Sequence, residues 1–135
     1  MNKLGILLFA HGARDPAWAL PFEAAATQLR RRAPNTPVKL AFLEFMSPGI
    51  QEAGQALAAD GCTQVTVVPL FLGAGGHVRK DLPRLLQELT DQYPQVAWQL
   101  SPAVGETELL IQALADSAWA LAQGSAALLP SASAD

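Results

Sequence analysis

Four short stretches of the chain are almost continuously apolar: Leu4–Ala10, Val38–Phe45, Val65–Leu72 and the weaker Val96–Leu100. Runs of that length, bounded by glycine, proline and polar residues, predict strands. In the segments that follow them, apolar residues recur three and four apart, the spacing of one helical face. "DPAWALPFEAAATQLRRRA" offers Asp15 as a cap and Pro16 at a first helical position, and Pro21 delays the regular helix to about that residue. "SPGIQEAGQALAADG" opens on Ser47 and Pro48 and stops at Gly61. In "DLPRLLQELTDQYP" Asp81 is the expected cap, with Leu82, Leu85, Leu86 and Leu89 on one face. "ETELLIQALADSAWALAQG" repeats the pattern through Leu110, Leu114 and Leu121 and closes at Gly124.

Strand then helix, four times over, predicts an α/β fold: a single-domain, open, parallel four-stranded sheet flanked by helices, a flavodoxin-like three-layer sandwich. The first and third strands do not alternate, as expected where both faces are covered. The domain is expected over residues 1–123. Residues 124–135, small and low in complexity, read as a disordered tail.

This topology makes candidates of the only two histidines. Ligands of an open parallel sheet bind beyond the carboxyl ends of its strands. His11 directly follows the first strand in "LLFAHGARD", and His77 follows the third across the glycine-rich loop of "VVPLFLGAGGHVRKDLP". Glu44 lies at the end of the second, in "LAFLEFMSP". Among Phe42, Leu43, Phe45 and Met46, its carboxylate faces a large desolvation cost unless it meets a cation or hydrogen-bond donors. Two imidazoles and one carboxylate suit a borderline divalent ion such as cobalt, nickel, iron or zinc; magnesium and calcium prefer shells of oxygen. Each residue alone also admits an ordinary structural role, a salt-bridged or solvated side chain near a strand end.

Composition narrows the function classes. Half of the 135 residues are hydrophobic and mean hydropathy is +0.19, which excludes a disordered chain. A net charge of −3 gives no electrostatic support to a nucleic-acid or anionic-membrane partner, although Arg30, Arg31 and Arg32 cluster, as do Arg79, Lys80 and Arg84. The single cysteine, Cys62, cannot form an internal disulfide and reads as a small buried apolar residue, which with the absence of a targeting segment points to a cytoplasmic protein. "LGILLFA" falls well short of the roughly 20 residues that cross a bilayer. "GAGGHVRK" lacks the lysine and following hydroxyl of a phosphate-binding loop, and no Gly-x-Ser-x-Gly elbow exists. In "LLFAHGAR", Ala10 stands where a phosphohistidine enzyme would carry arginine.

Three segments carry a resemblance. "LLFAHGARDP" resembles the opening His-Gly-Ser-Arg-Asp motif of the class II chelatases, and "AFLEFMSPGIQEA" resembles their second-strand segment with its glutamate. "VTVVPLFLGAGGHVRKDLP" is similar to their signature of Pro-Leu-Phe-Leu, glycine, histidine and Asp-Leu-Pro. The likeness spans roughly Leu4 to Leu121 and is nearest to the short, single-domain CbiX-like sirohydrochlorin chelatases. It implies an enzyme that inserts a divalent metal, typically cobalt, into sirohydrochlorin on the route to cobalamin. The metal is substrate, and no organic cofactor is implied. Longer relatives contain two such domains, so the short form is expected to be a homodimer.

The resemblance implies His11, His77 and Glu44 as metal ligands. His11 would serve also as a possible base, and Glu44 as a proton relay. Sirohydrochlorin is a flat apolar ring edged with carboxylates. Phe71, Leu72 and Met46 are candidate walls for it, Gly76 allows close approach, and Arg14, Arg79 and Lys80 are candidate carboxylate partners. Ala13 replaces the family's usual serine and removes a hydroxyl from the neighbourhood. A non-catalytic metal or tetrapyrrole carrier on the same fold needs the same ligands, and nickel or iron would fit them too.

Overall fold

The structure, a computed structural model, describes residues 2–73 and 75–124, without the side chains of residues 76–79. In chain order it contains β1 (Leu4–Ala10), a 3₁₀ turn (Pro16–Ala19), α1 (Leu20–Arg32), β2 (Val38–Phe42), α2 (Ile50–Ala59) and β3 (Gln64–Pro69). Then follow α3 (Gly76–Gln92), β4 (Ala97–Leu100), a second 3₁₀ turn (Val104–Glu106) and α4 (Glu108–Ala122). All neighbouring strands pair in parallel in the order β2-β1-β3-β4. The expected α/β sheet is therefore present. After β1 the chain goes first to one side and then to the other, so a crevice opens where β1 meets its neighbours.

Two apolar layers hold the sheet. On one face Leu7, Phe9, Val65 and Val67 pack with Leu57 of α2 and Leu82, Leu85 and Leu89 of α3. On the other, Leu8, Val38, Leu40 and Phe42 meet Ala26 of α1, with Phe22 and Leu29 half-buried beside them. Leu7, Val65, Val67 and Leu89 are wholly buried. The helix punctuation follows the sequence: the Asp15 carboxylate accepts a hydrogen bond from the Ala17 N–H at 3.0 Å, and Gly61 leaves α2 with φ +88°. Cys62 is a free, buried thiol, and burial pushes its pKa up. Arg30 is more than surface charge, since its Nε and Nη2 both donate to the Val38 carbonyl, at 3.1 and 3.0 Å.

Four expectations need correction. β2 stops at Phe42 instead of Phe45, because Phe45 takes φ +68° and the chain curls back until the Phe42 N–H bonds to the Pro48 carbonyl at 2.9 Å. β3 likewise stops at Pro69 instead of Leu72. α2 begins at Ile50 after Gly49, not after Ser47; the Glu52 carboxylate accepts the Gly49 N–H at 3.2 Å. α3 begins at Gly76, well before Asp81, which places Pro83 inside the helix at the loss of one backbone hydrogen bond, and places His77 in the first turn.

Coverage of the sheet differs as well. β3 alternates, with Gln64, Thr66 and Val68 only half-buried. Their face is the α1 face, where α1 lies mainly against β2, and of the three only Val68 packs on that apolar layer. α4, the helix available to cover the rest, packs mainly on the 3₁₀ turn that leads into it. None of its residues is buried. The expected tail, residues 124–135, lies outside the described residues apart from Gly124.

Candidate functional site

The turns after β1 and β2 continue the sheet pairing for one more step. The Leu43 N–H bonds to the Ala10 carbonyl at 2.9 Å and the Glu44 N–H to the His11 carbonyl at 3.1 Å. Gly12 permits this close approach, with φ +95° and no Cβ to strike the Glu44 carbonyl. The side chains then meet: His11 Nε2 and Glu44 Oε2 stand 3.0 Å apart, where an imidazole N–H donates to the carboxylate. Both side chains are about half exposed, at 47% and 49%.

That exposure corrects the reason for singling out Glu44. The segment from Glu44 to Met46 is not buried strand, and the carboxylate keeps much of its hydration. What remains is geometry, an imidazole and a carboxylate paired at the carboxyl rim of the sheet. His77 lies at the same rim, in the first turn of α3, and its side chain lies outside the described ones. Among the described residues no three metal-capable side chains converge.

Phe71, expected as a wall, lies in the core under the rim. It is only 8% exposed and sits edge-on between Phe9, at 6.1 Å between ring centroids, and the His11 imidazole, at 6.3 Å. The ring thus carries the imidazole on the core beneath it. Leu72 is 68% exposed, and Gly105 lies close against its backbone, with the Gly105 N–H donating to the Phe71 carbonyl at 2.9 Å. Met46 is half-buried in the α1-side layer. Lys80 and Arg14 are exposed. Gly76 and Arg79 share the first turn of α3 with His77, and their side chains lie outside the described ones.

Sequence reasoning missed Phe45. Read as part of a buried run, it is in fact 57% exposed, with the Arg14 guanidinium 4.7 Å from its ring centroid. A groove of about 300 Å³ beside it is lined by Arg14, Phe42, Phe45 and Met46 among others. The apolar run offered no signal for it, since only the left-handed backbone distinguishes Phe45 from a strand residue.

The fold has known counterparts. The model of the CbiX family matches residues 5–119. A sirohydrochlorin cobaltochelatase of Methanosarcina barkeri is 34% identical over 85 residues, 63% of this chain and 65% of that protein. The crystal structure of a putative cobalamin biosynthesis CbiX protein from Marinobacter aquaeolei superposes with a TM-score of 0.81 at 31% identity, over 91% of this chain and all of that one. SirB from Bacillus subtilis, solved with Fe3+, gives a TM-score of 0.74 at 25% identity; 84% of this chain corresponds to 45% of it. The chain thus spans a little under two thirds of the first curated relative and matches just under half of SirB.

Proposed function

Since the chain belongs to the CbiX family, we propose that it inserts a divalent metal ion, cobalt foremost, into sirohydrochlorin, as a chelatase of cobalamin biosynthesis. The observation that carries the proposal is the His11–Glu44 pair, 3.0 Å apart and half exposed at the carboxyl rim of the sheet. The name borne by the Methanosarcina relative supports it.

Metalation exchanges two pyrrole N–H protons for one divalent cation. The site must therefore hold a partly dehydrated cation, accept protons and present the ion to a flat ring. His11 Nε2 can coordinate only without its proton, and that proton lies against Glu44 Oε2. Ligation through Nε2 uses the neutral tautomer with its single proton on Nδ1, which leaves Glu44 free to turn and ligate or to take a proton released by the pyrroles. His77 is the second imidazole of this reading. Two imidazoles and one carboxylate leave coordination positions open to pyrrole nitrogens, whereas a closed four-ligand shell would retain the metal.

The proposal includes a homodimer and a cytoplasmic location, with residues 1–123 as the working domain. α4 supports the first: Leu109, Ile111, Leu114, Trp119 and Leu121 are all exposed, and β3 and β4 also carry residues that the chain leaves only partly covered. A second copy supplies what each surface lacks. SirB, of which this chain matches just under half, is consistent with two such units working together. One free, buried cysteine suits a reducing compartment. No helix among the described residues is long and apolar enough to cross a membrane.

The test is anaerobic incubation with sirohydrochlorin and cobalt, nickel or ferrous iron, following the absorption of the macrocycle against the uncatalysed rate. Acceleration greatest with cobalt is expected. No acceleration with any metal would leave a carrier, which needs the same ligands without turnover.

A further inference from the structure

Phe45 is the residue that folding has least reason to hold as it is. Its φ of +68° lies in the left-handed region that side chains other than Gly, Asn and Asp seldom enter. Burial does not compensate, because the residue is 57% exposed. Strained backbone of this kind clusters where a site needs a particular side chain in a particular place.

What the strain holds in place is chemically specific. The Arg14 guanidinium lies 4.7 Å from the centroid of the Phe45 ring, close enough for cation–π attraction. One residue before Phe45, Glu44 meets His11. An apolar ring and a cation therefore stand together at the edge of the metal-handling pair, lining the same groove of about 300 Å³. No carboxylate is paired with Arg14 among the described residues, whose salt bridges elsewhere join Arg84 to Asp81 and Glu88.

We propose that Phe45 and Arg14 form one docking element for the macrocycle, in which the aromatic face stacks on the ring and Arg14 takes a peripheral carboxylate. This rests on the reading that the substrate is a carboxylate-edged tetrapyrrole. An aromatic face recognises any flat conjugated ring, while a guanidinium recognises a planar anion through two parallel hydrogen bonds. Joined, they select a ring bearing carboxylates at its edge over a bare one. Arg14 is already held over Phe45, so less of its side-chain freedom is lost on binding.

The experiment separates binding from turnover. Metal-free sirohydrochlorin is titrated into wild type, Phe45→Gly, Phe45→Asn, Arg14→Gln and Arg14→Lys, followed by fluorescence, alongside thermal unfolding and steady-state kinetics. Phe45→Gly and Phe45→Asn accept the left-handed backbone, so their thermal midpoints should equal or exceed that of wild type. Their dissociation constant and KM for sirohydrochlorin should rise about tenfold, with kcat and the KM for cobalt within about twofold. Arg14→Gln should weaken binding similarly and Arg14→Lys less. Unchanged sirohydrochlorin binding in the folded Phe45 variants, or a marked fall in their midpoints, would overturn the proposal. Wild type that binds sirohydrochlorin without accelerating metal insertion would sink the enzymatic reading alone; wild type that does not bind it would sink both.

Discussion

The backbone of Gly12 lies against the carbonyl of Glu44, so closely that a methyl group on Gly12 would collide with that oxygen. This contact, together with the Glu44 N–H bond to the His11 carbonyl at 3.1 Å, locks the turn after β1 to the turn after β2. The separation of the His11 and Glu44 side chains is thus set by backbone rather than by their mutual attraction. Gly12→Ala adds a collision to a φ of +95° that alanine adopts poorly. A loss of about 2–4 kcal/mol is expected in chemical unfolding, together with weakened cobalt binding. A variant as stable as wild type would show that the two turns can separate freely.

The pair itself should matter little to stability. Half-exposed ion pairs contribute about 0–1 kcal/mol, so His11→Ala and Glu44→Gln should unfold close to wild type. Their effect should fall on the metal. His11→Ala and His77→Ala are expected to reduce cobalt insertion to the uncatalysed rate. Glu44→Gln, which keeps a hydrogen-bond acceptor but removes the charge, is expected to slow it about tenfold or more. Wild-type insertion by Glu44→Gln would remove this carboxylate from the site.

Phe71 links the core to the imidazole. Its ring meets Phe9 at an interplanar angle of 62° and His11 at 67°, both edge-on. Phe71→Leu keeps an apolar side chain in the core at a cost of about 1–2 kcal/mol, but removes the surface on which the imidazole rests. Cobalt affinity, measured by calorimetry on protein that remains folded, should fall. If it does not, the Gly12–Glu44 contact alone is enough to place His11.

Much of this architecture was legible in the sequence because the core is written in short apolar runs. Leu7, Phe9, Val65 and Val67 could be placed in strands from pattern alone, and the helix stop at Gly61 from its chemistry. Topology then brought His11 and Glu44 to one rim. What pattern could not show was where an apolar run ceases to be strand. "LAFLEFM" reads as continuous strand, yet a single left-handed residue, Phe45, ends it and brings Glu44 out into solvent. The desolvation argument for Glu44 therefore failed, although the turn sets its carboxylate against His11. Periodicity also reports only that α4 has apolar faces, not what they meet.

That last point gives the test of assembly. Trp119 is 67% exposed and Leu114 50%, on a helix that buries none of its residues within its own chain. Replacing them therefore removes no contact of the single-chain core, and lysine and glutamate are strong helix formers. The double variant Leu114→Lys with Trp119→Glu should unfold at the wild-type denaturant concentration when dilute. If α4 lies on a second copy, however, the same substitutions place charges in an apolar contact, at a cost of several kcal/mol. Light scattering should then report a dimer for wild type and a monomer for the variant across micromolar concentrations. A variant that remains dimeric would move the interface elsewhere; a wild type that is monomeric at all concentrations would leave α4 exposed in solution and remove the homodimer from the reading.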